Sequence, residues 1–224
     1  LCIIAEPAGS SPLRRIRAAN LCTAISEYFR SRGKNTLLIM DSLTRVAHAR
    51  REIGLALGEN PSARGYPPSA ISLIPELIER TGQGQIGSGT TTGIYTVLAD
   101  SDDLNDPVVD AARAILDGHI VLSRTQAELG VYPAIDLSAS ISRVIGQITD
   151  LEQQSDIREF RKYYALYQEN KDLLLLGGYK EGSDPELDKA IKLYSQMMDF
   201  IKQGPEEKFD MASSVTSLAG VLHA

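Results

Sequence analysis

The spacing of apolar residues predicts an alternation of strands and helices in the first part of the chain. Leu1–Ala5 and Thr36–Met40 are short apolar runs, which are typical of strands buried on both faces of a parallel sheet. Between them, apolar residues recur at helical spacing, and Gly33 supplies a stop signal. A strand, a helix and a strand in this order predict a right-handed parallel crossover.

The same alternation continues for most of the first two thirds of the chain. The pattern predicts a helix at Ser69–Thr81, a mobile loop over the glycine-rich stretch Gly82–Thr92, and buried strands at Ile94–Ala99 and His119–Ser123. The acidic segment Asp100–Asp106 lacks the residue pattern of an EF-hand, so we interpret it as a solvated or interface loop.

After about Gly146 the pattern becomes helical and more polar. Asp184 and Pro185 form a helix start signal, Gly204 is a stop signal, and an apolar stripe with helical period lies between them. We therefore predict an α/β fold, with a parallel-sheet core over residues 1–146 and a helical carboxyl-terminal domain over residues 147–224.

Composition narrows the class of protein. The net charge of −6 offers no basic footprint for nucleic acid. The two cysteines, Cys2 and Cys22, suggest neither a disulfide framework nor a metal site, and they favour a reducing cytosol. No apolar stretch approaches the roughly 20 residues that span a bilayer.

Asp41 is the first candidate for chemistry, because it ends the apolar run Thr36–Met40. Open α/β sheets bind ligands at the carboxyl ends of their strands, and nucleotide hydrolases place there an acid that holds Mg²⁺. Arg45, four residues later, would add positive charge toward a phosphate. The residues alone leave an alternative open for each. Asp41 could be an ordinary exposed aspartate at the end of a strand, and Arg45 could pair with a nearby acid.

Arg143 is the second candidate, since Pro133 and several small hydroxyl residues precede it and argue against a long helix. The pattern predicts an exposed arginine at the edge of a loop. Such an arginine suits a finger that neutralises a transferring γ-phosphoryl group in a neighbouring subunit, whereas a surface salt bridge is the alternative. The phosphate-cradling pattern G-x-x-x-x-G-K-[ST] does not occur in the sequence.

Four segments together resemble the ATPases of flagellar and virulence type III secretion, which are relatives of the catalytic subunit of the rotary ATP synthase. They are SPLRRIRAANLCTAISEYFRSRGKNTLLIMDSLTRVAHARREIGLALGE (Ser11–Glu59), ARGYPPSAISLIPELIER (Ala63–Arg80), ILDGHIVLSRTQAELGVYPAIDLSASISRV (Ile115–Val144) and DLLLLGGYKEGSDPELDKAI (Asp172–Ile191). The resemblance implies a RecA-like core, ATP hydrolysis, and a hexamer with nucleotide sites between neighbouring subunits.

The resemblance also implies roles for individual residues. It identifies Asp41 with the Walker B acid that acts on Mg²⁺ largely through water, and Arg45 with an arginine near the phosphates of ATP. Arg143 matches the finger offered to the neighbouring subunit's ATP, and Phe209 matches a wall of the adenine pocket. The phosphate-binding lysine and threonine and the water-polarising glutamate of the family would lie upstream of Leu1. We therefore expect the chain to be the carboxyl-terminal part of such an ATPase and inactive alone.

The partners that the resemblance implies are identical subunits in a hexamer, stalk and regulator proteins, chaperone–cargo complexes and a membrane export gate. It implies no nucleic acid, and it implies a cytoplasmic location, peripheral at the inner membrane. Within the helical region we predict a polar docking surface that includes Tyr163, Glu169 and Glu181 as exposed groups.

Three other assignments compete with this one. They are a subunit of an F- or V-type rotary ATPase, the transcription terminator Rho, and a non-catalytic partner that kept the ATPase fold. Rho is disfavoured because the segment ARGYPPS and the long helical tail have no counterpart there, and because the acidic balance offers little for RNA.

Overall fold

A computed structural model describes residues 1–99, 103 and 105–223. Residues 100–102 and 104 of the predicted acidic loop therefore lie outside the described residues. The chain divides into two compact units, Leu1–Leu116 (unit 1) and Asp117–Ala224 (unit 2). The predicted domain boundary near Gly146 lies inside unit 2 and stays a prediction.

Unit 1 contains four helices and three strands among its described residues. In chain order they are α1 (Pro12–Ser31), β1 (Thr36–Met40), α2 (Leu43–Ala56), α3 (Pro68–Ile78), β2 (Gly82–Gln83), β3 (Thr90–Tyr95) and α4 (Pro107–Ile115), with a 3₁₀ turn at Ala63–Gly65. Proline stands in the first turn of α1, α3 and α4, where its missing N–H has no partner to lose.

The sheet of unit 1 has the strand order β1-β3-β2. β1 pairs in parallel with β3, so that Met40 lies beside Tyr95, and β2 is antiparallel to β3. The predicted strand Thr36–Met40 is confirmed, but burial on both faces is wrong within this unit. Leu38 and Met40 are buried, whereas Leu37 and Ile39 are each 61% exposed, because the helices of the unit pack against one face.

Two other predictions for unit 1 need correction. Leu1–Ala5 is not a strand: it has no ladder, and Leu1 and Ile3 are exposed, so the predicted crossover through α1 is absent from the unit. The stretch Gly82–Thr92 is not wholly a loop, since it contains β2 and the start of β3. The threonines that open β3 favour a strand because their β-branched side chains suit a pleated surface.

The elements of unit 2 follow in chain order. They are β4 (Gly118–Leu122), α5 (Arg124–Glu128), β5 (Ile135–Ser142), α6 (Ile145–Ile148), α7 (Leu151–Leu175), α8 (Pro185–Ile201) and α9 (Met211–Leu222). β4 confirms the predicted strand at His119–Ser123, but Ile120 and Leu122 are exposed. It pairs antiparallel with β5, a strand that the sequence pattern did not predict.

Helices α7, α8 and α9 enclose the core of unit 2. The predicted start of α8 is confirmed, since the Asp184 carboxylate accepts hydrogen bonds from the backbone N–H groups of Glu186 and Leu187. The buried core residues include Phe160, Leu193 and Met197. Within the described part of the chain, the helices are all too short or too polar to cross a membrane.

Candidate functional site

Asp41 lies at the carboxyl end of β1, on the turn that leads into α2, and it is exposed. The hydroxyl of Thr96, the first residue after β3, donates a hydrogen bond of 2.6 Å to Asp41 Oδ1. Because β1 and β3 are parallel neighbours, both residues lie at the same edge of the sheet. Asp41 thus lies at the carboxyl edge of the sheet, where open α/β sheets bind ligands, and its role in binding stays a prediction.

The turn after Asp41 is built by its own hydroxyl residues. Ser42 is buried and caps α2, since its hydroxyl accepts a hydrogen bond from the backbone N–H of Arg45 at 3.4 Å. Thr44 is also buried, and its hydroxyl joins the backbone of Leu98, which donates to it at 2.8 Å. The D-S-L-T sequence therefore places its acid outward and its hydroxyl groups inward.

Arg45 stands in the first turn of α2 and is exposed. It follows Asp41 by four residues, on the helix that begins just beyond the carboxyl end of β1. In the described residues no group of three or more His, Cys, Asp or Glu side chains could hold a metal ion. A single exposed carboxylate still fits Mg²⁺, which usually keeps several waters and binds through one or two carboxylates together with substrate phosphates.

Arg143 follows directly after β5, in unit 2. Its backbone N–H donates to the carbonyl oxygen of Asp117 at 2.8 Å, which closes the end of the β4–β5 ladder, and its side chain is exposed. The predicted exposure and the position at the edge of a loop are thus confirmed, since Arg143 lies in the bend that follows β5. Asp41 and Arg45 lie in unit 1, and Arg143 and Phe209 in unit 2, so neither unit holds all four predicted residues.

Unit 2 contains an open cavity of about 920 Å³ that the sequence analysis did not identify. Its lining includes Tyr132 and Pro133 on one side and residues of the loop after α8 on the other, among them Lys202, Gly204 and Pro205. The two sides are joined where the Gln203 backbone N–H donates to the Tyr132 carbonyl oxygen at 2.7 Å. The cavity thus brings an exposed aromatic ring next to polar groups of the loop after α8.

Phe209 is not part of that lining. It is 60% exposed and lies on the same loop, before α9 begins. Tyr132 is the aromatic residue that the cavity presents, at 56% exposure. Sequence reasoning missed it, and the available signal was an aromatic residue directly before Pro133 in the segment that carries the resemblance.

Two family models match the chain in succession. Residues 1–142 match the ATP synthase alpha/beta family, nucleotide-binding domain, and residues 149–220 match the T3SS EscN ATPase C-terminal domain. Together they confirm the resemblance found in the sequence, and they agree with the α/β fold followed by a helical part.

Curated relatives carry the name flagellum-specific ATP synthase. One from Pseudomonas aeruginosa is 50% identical over 220 residues, which are 98% of this chain and 49% of the relative. One from Salmonella typhimurium is 51% identical over 216 residues, which are 96% of this chain and 47% of the relative. The chain thus spans about half the length of the curated relatives that it matches.

Solved structures agree with these relatives. The assembled ATPase EscN from the type III secretion system of enteropathogenic E. coli matches with a TM-score of 0.91 and 44% identity, over 94% of this chain and 51% of that one. EscN in complex with its central stalk EscO matches with a TM-score of 0.85 and 43% identity, over 94% and 50%. The ATP synthase subunit NeqB from Nanoarcheaum equitans matches with a TM-score of 0.87 and 26% identity, over 97% of this chain and 55% of that one.

Proposed function

Because the chain belongs to the ATP synthase alpha/beta family, we propose that it supplies part of a Mg²⁺-dependent ATP-hydrolysing site that energises protein export through a flagellar or virulence type III secretion apparatus. The observation that carries this proposal is the exposed Asp41 carboxylate, oriented by Thr96 at the carboxyl edge of the β1–β3 sheet. The match of residues 149–220 to the EscN carboxyl-terminal domain favours the export branch.

Asp41 would hold Mg²⁺ and its waters, and Arg45 would add positive charge near the phosphates. Mg²⁺, when bound with ATP, neutralises charge on the phosphate oxygens. Asp41 accepts one hydrogen bond at Oδ1 and remains exposed, so the carboxylate stays accessible to a hydrated cation. The guanidinium of Arg45 supplies donors that match phosphate geometry.

Arg143 would act on the ATP of a neighbouring identical subunit in a hexamer. An arginine finger stabilises charge that develops on the transferring γ-phosphoryl group. Its exposed position after β5 supports a role toward another molecule. The EscN structures are of an assembled ATPase, which also supports assembly of this chain with its copies.

The cavity beside Tyr132 would take the adenine of ATP. An aromatic ring next to Pro133 offers a flat apolar surface for a base, and the loop after α8 closes the other side. Phe209 lies on that loop and is exposed, so we retain it as a wall that would reach the base when nucleotide is bound.

The helices of unit 2 would carry the partner surface. EscN forms a complex with its central stalk EscO, and we propose a corresponding stalk contact here, together with regulators, chaperone–cargo complexes and a membrane export gate at the cytoplasmic side of the inner membrane. The predicted docking residue Tyr163 needs correction: it is buried, because it belongs to the core cluster that helices α7, α8 and α9 form. Glu169 and Glu181 are exposed, as predicted.

A chimera tests this proposal, in which the 224 residues replace the matched half of the Pseudomonas aeruginosa relative. We expect Mg²⁺-dependent ATP hydrolysis, and we expect Asp41→Asn to lower kcat by at least about 100-fold, since metal stabilisation is worth several kcal/mol. Glu79→Gln is the matched control, because Glu79 is an exposed acid at the end of α3.

The same chimera separates export from ATP synthesis. In cells that lack the relative's own gene, we expect the chimera to restore flagellar export and the Asp41→Asn version to fail. An Asp41→Asn chimera with full turnover would contradict the proposed site. A chimera that hydrolyses ATP but never restores export would contradict the export assignment and favour a rotary ATPase subunit, to which the likeness to NeqB points.

A further inference from the structure

The segment that follows β3 holds the turn around Asp41 from both sides. The Thr96 backbone N–H donates to the Met40 carbonyl oxygen at 3.1 Å, and the Leu43 backbone N–H donates to the Thr96 carbonyl oxygen at 3.0 Å. Thr96 therefore pairs with the residue before Asp41 and with the second residue after it. This double anchor fixes the backbone of Thr96 relative to the turn.

The side chain of Thr96 uses that fixed backbone to reach Asp41. Its hydroxyl donates to Asp41 Oδ1 at 2.6 Å, a length typical of a hydroxyl bonded to an ionised carboxylate. A threonine side chain is restricted in χ1, because two heavy atoms branch at Cβ. Backbone and side chain together thus hold one carboxylate oxygen in a defined place.

We propose that Thr96 is a positioning residue for the metal site: its hydroxyl occupies Asp41 Oδ1 and thereby orients Oδ2 toward Mg²⁺ and its waters. This inference rests on the proposed role of Asp41 in Mg²⁺ binding. Thr96 itself does not touch the metal in this scheme. It acts through Asp41, as outer-shell hydrogen-bond donors do when they orient a ligating carboxylate.

A comparison with neighbouring threonines of unit 1 shows that Thr96 does more than tie two backbone segments together. Thr44 also lies at this edge, but its hydroxyl bonds the backbone of Leu98 at 3.2 and 2.8 Å, so it ties the chain without engaging the acid. Thr92 is exposed in the middle of β3, four residues before Thr96, and serves as the matched control position. Thr96 combines the backbone tie with a side-chain bond to the carboxylate.

Four variants of the chimera test the inference: Thr96→Val, Thr96→Ser, Thr92→Val and Asp41→Asn. Valine keeps the shape of threonine and removes the donor, whereas serine keeps the donor. Two measurements on each variant do not depend on turnover: the melting temperature, and the calorimetric affinity for ATP with and without Mg²⁺. The Mg²⁺ concentration that gives half-maximal hydrolysis, and the separate kcat and KM values, complete the set.

We expect Thr96→Val to weaken Mg²⁺-dependent binding and raise the half-maximal Mg²⁺ concentration by about 10-fold, the usual cost of losing an outer-shell partner. ATP affinity without Mg²⁺ stays unchanged, Thr96→Ser recovers most of the loss, and Thr92→Val behaves as the parent chimera.

Three results would overturn the inference. If Thr96→Val keeps normal Mg²⁺ dependence while Asp41→Asn loses it, Thr96 has no positioning role and the proposed function stands. If Thr96→Ser and Thr96→Val lower the Mg²⁺ affinity and the melting temperature to the same extent, Thr96 only stabilises the fold and does not position Asp41. If Asp41→Asn itself keeps normal Mg²⁺ dependence, the role proposed for Asp41 fails and this inference fails with it.

Discussion

Asp41 in unit 1 and Arg143 in unit 2 are both exposed charges at the end of a strand, but the two units hold them differently. Asp41 is held at its side chain, since Thr96, directly after the neighbouring strand, supplies a hydroxyl donor at 2.6 Å. Arg143 is held at its backbone, where its N–H completes the β4–β5 ladder. One unit thus orients a carboxylate group, and the other presents a long cation from a fixed backbone position.

This difference fits the two chemical tasks proposed for them. A carboxylate that positions a hydrated cation benefits from fixed oxygens, because Mg²⁺ demands near-ideal octahedral geometry. An arginine that acts on another subunit's ATP needs a backbone that fixes the point from which its long side chain extends. Under the proposed function, such a chain would contribute Asp41 to its own nucleotide and Arg143 to its neighbour's.

Arg143→Ala in the chimera is the change with the largest expected effect. A finger acts on charge that develops in the transition state, so we expect kcat to fall about 10³-fold or more while ATP affinity changes little. Steady-state turnover and nucleotide titration measure the two quantities separately. Arg158→Ala, an exposed arginine on α7, is the control, and equal turnover in both variants would remove Arg143 from the mechanism.

The two units have separate cores, and cavity mutations sharpen that distinction. Ile74 in α3 and Met197 in α8 are each completely buried. We expect Ile74→Ala and Met197→Ala to lower the free energy of unfolding of the 224-residue chain by about 2–5 kcal/mol each. Hydrogen exchange should place the first loss in unit 1 and the second in unit 2.

Ile86→Ala is the control for both cavity variants, because Ile86 is fully exposed and its loss should change stability by less than about 0.5 kcal/mol. Identical exchange changes across the whole chain in both core variants would show that the two units unfold as one.

A smaller effect concerns acid, because each unit has a carboxylate whose pKa an ion pair lowers. In unit 1 the Arg80 guanidinium donates two hydrogen bonds to Glu27, at 2.8 and 2.7 Å, and lowers the pKa of that carboxyl. Because the pKa is lower in the folded state, the pair stabilises the fold above the unfolded-state pKa, and this stability is lost as the pH falls through the folded-state pKa.

Glu27→Gln should therefore reduce the free energy of unfolding near neutral pH by about 1 kcal/mol or less, and the difference from the parent should shrink in acid. Urea unfolding at several pH values measures it. Glu159→Gln tests the same pH dependence of stability in unit 2, where Lys189 lowers the pKa of Glu159. A difference that stayed constant over the whole pH range would rule out the carboxylate as its source.

Local signals in the sequence were enough for part of the fold and of the site. The apolar run before Asp41 predicted β1 and its outward acid, and the pair Asp184-Pro185 predicted the start of α8, because caps and apolar runs act over a few residues. The prediction of a strand at Leu1–Ala5 was wrong because a strand also depends on distant residues. An apolar run becomes a strand only when a neighbouring strand accepts its hydrogen bonds, and that pairing is not local.

The remaining errors also concern contacts between distant residues. β5 alternates apolar and hydroxyl residues only weakly, and its pairing with β4 defines it. Tyr163 was predicted to be exposed, yet it lies three residues after Phe160 on the buried side of α7, a spacing that could have indicated its burial. The cavity beside Tyr132 needs the loop after α8, which is far along the chain.

One mixing experiment tests most directly the central claim that Asp41 serves its own subunit's nucleotide and Arg143 its neighbour's. Chimeras carrying Asp41→Asn and chimeras carrying Arg143→Ala are each expected to be nearly inactive. Mixed and reassembled, they form some interfaces that pair an intact Asp41 with an intact Arg143 from the adjacent subunit. We predict that ATP turnover rises well above the sum of the two separate preparations, with a maximum near equal proportions. Turnover that equals that sum at every ratio, in preparations shown to exchange subunits, would contradict the account.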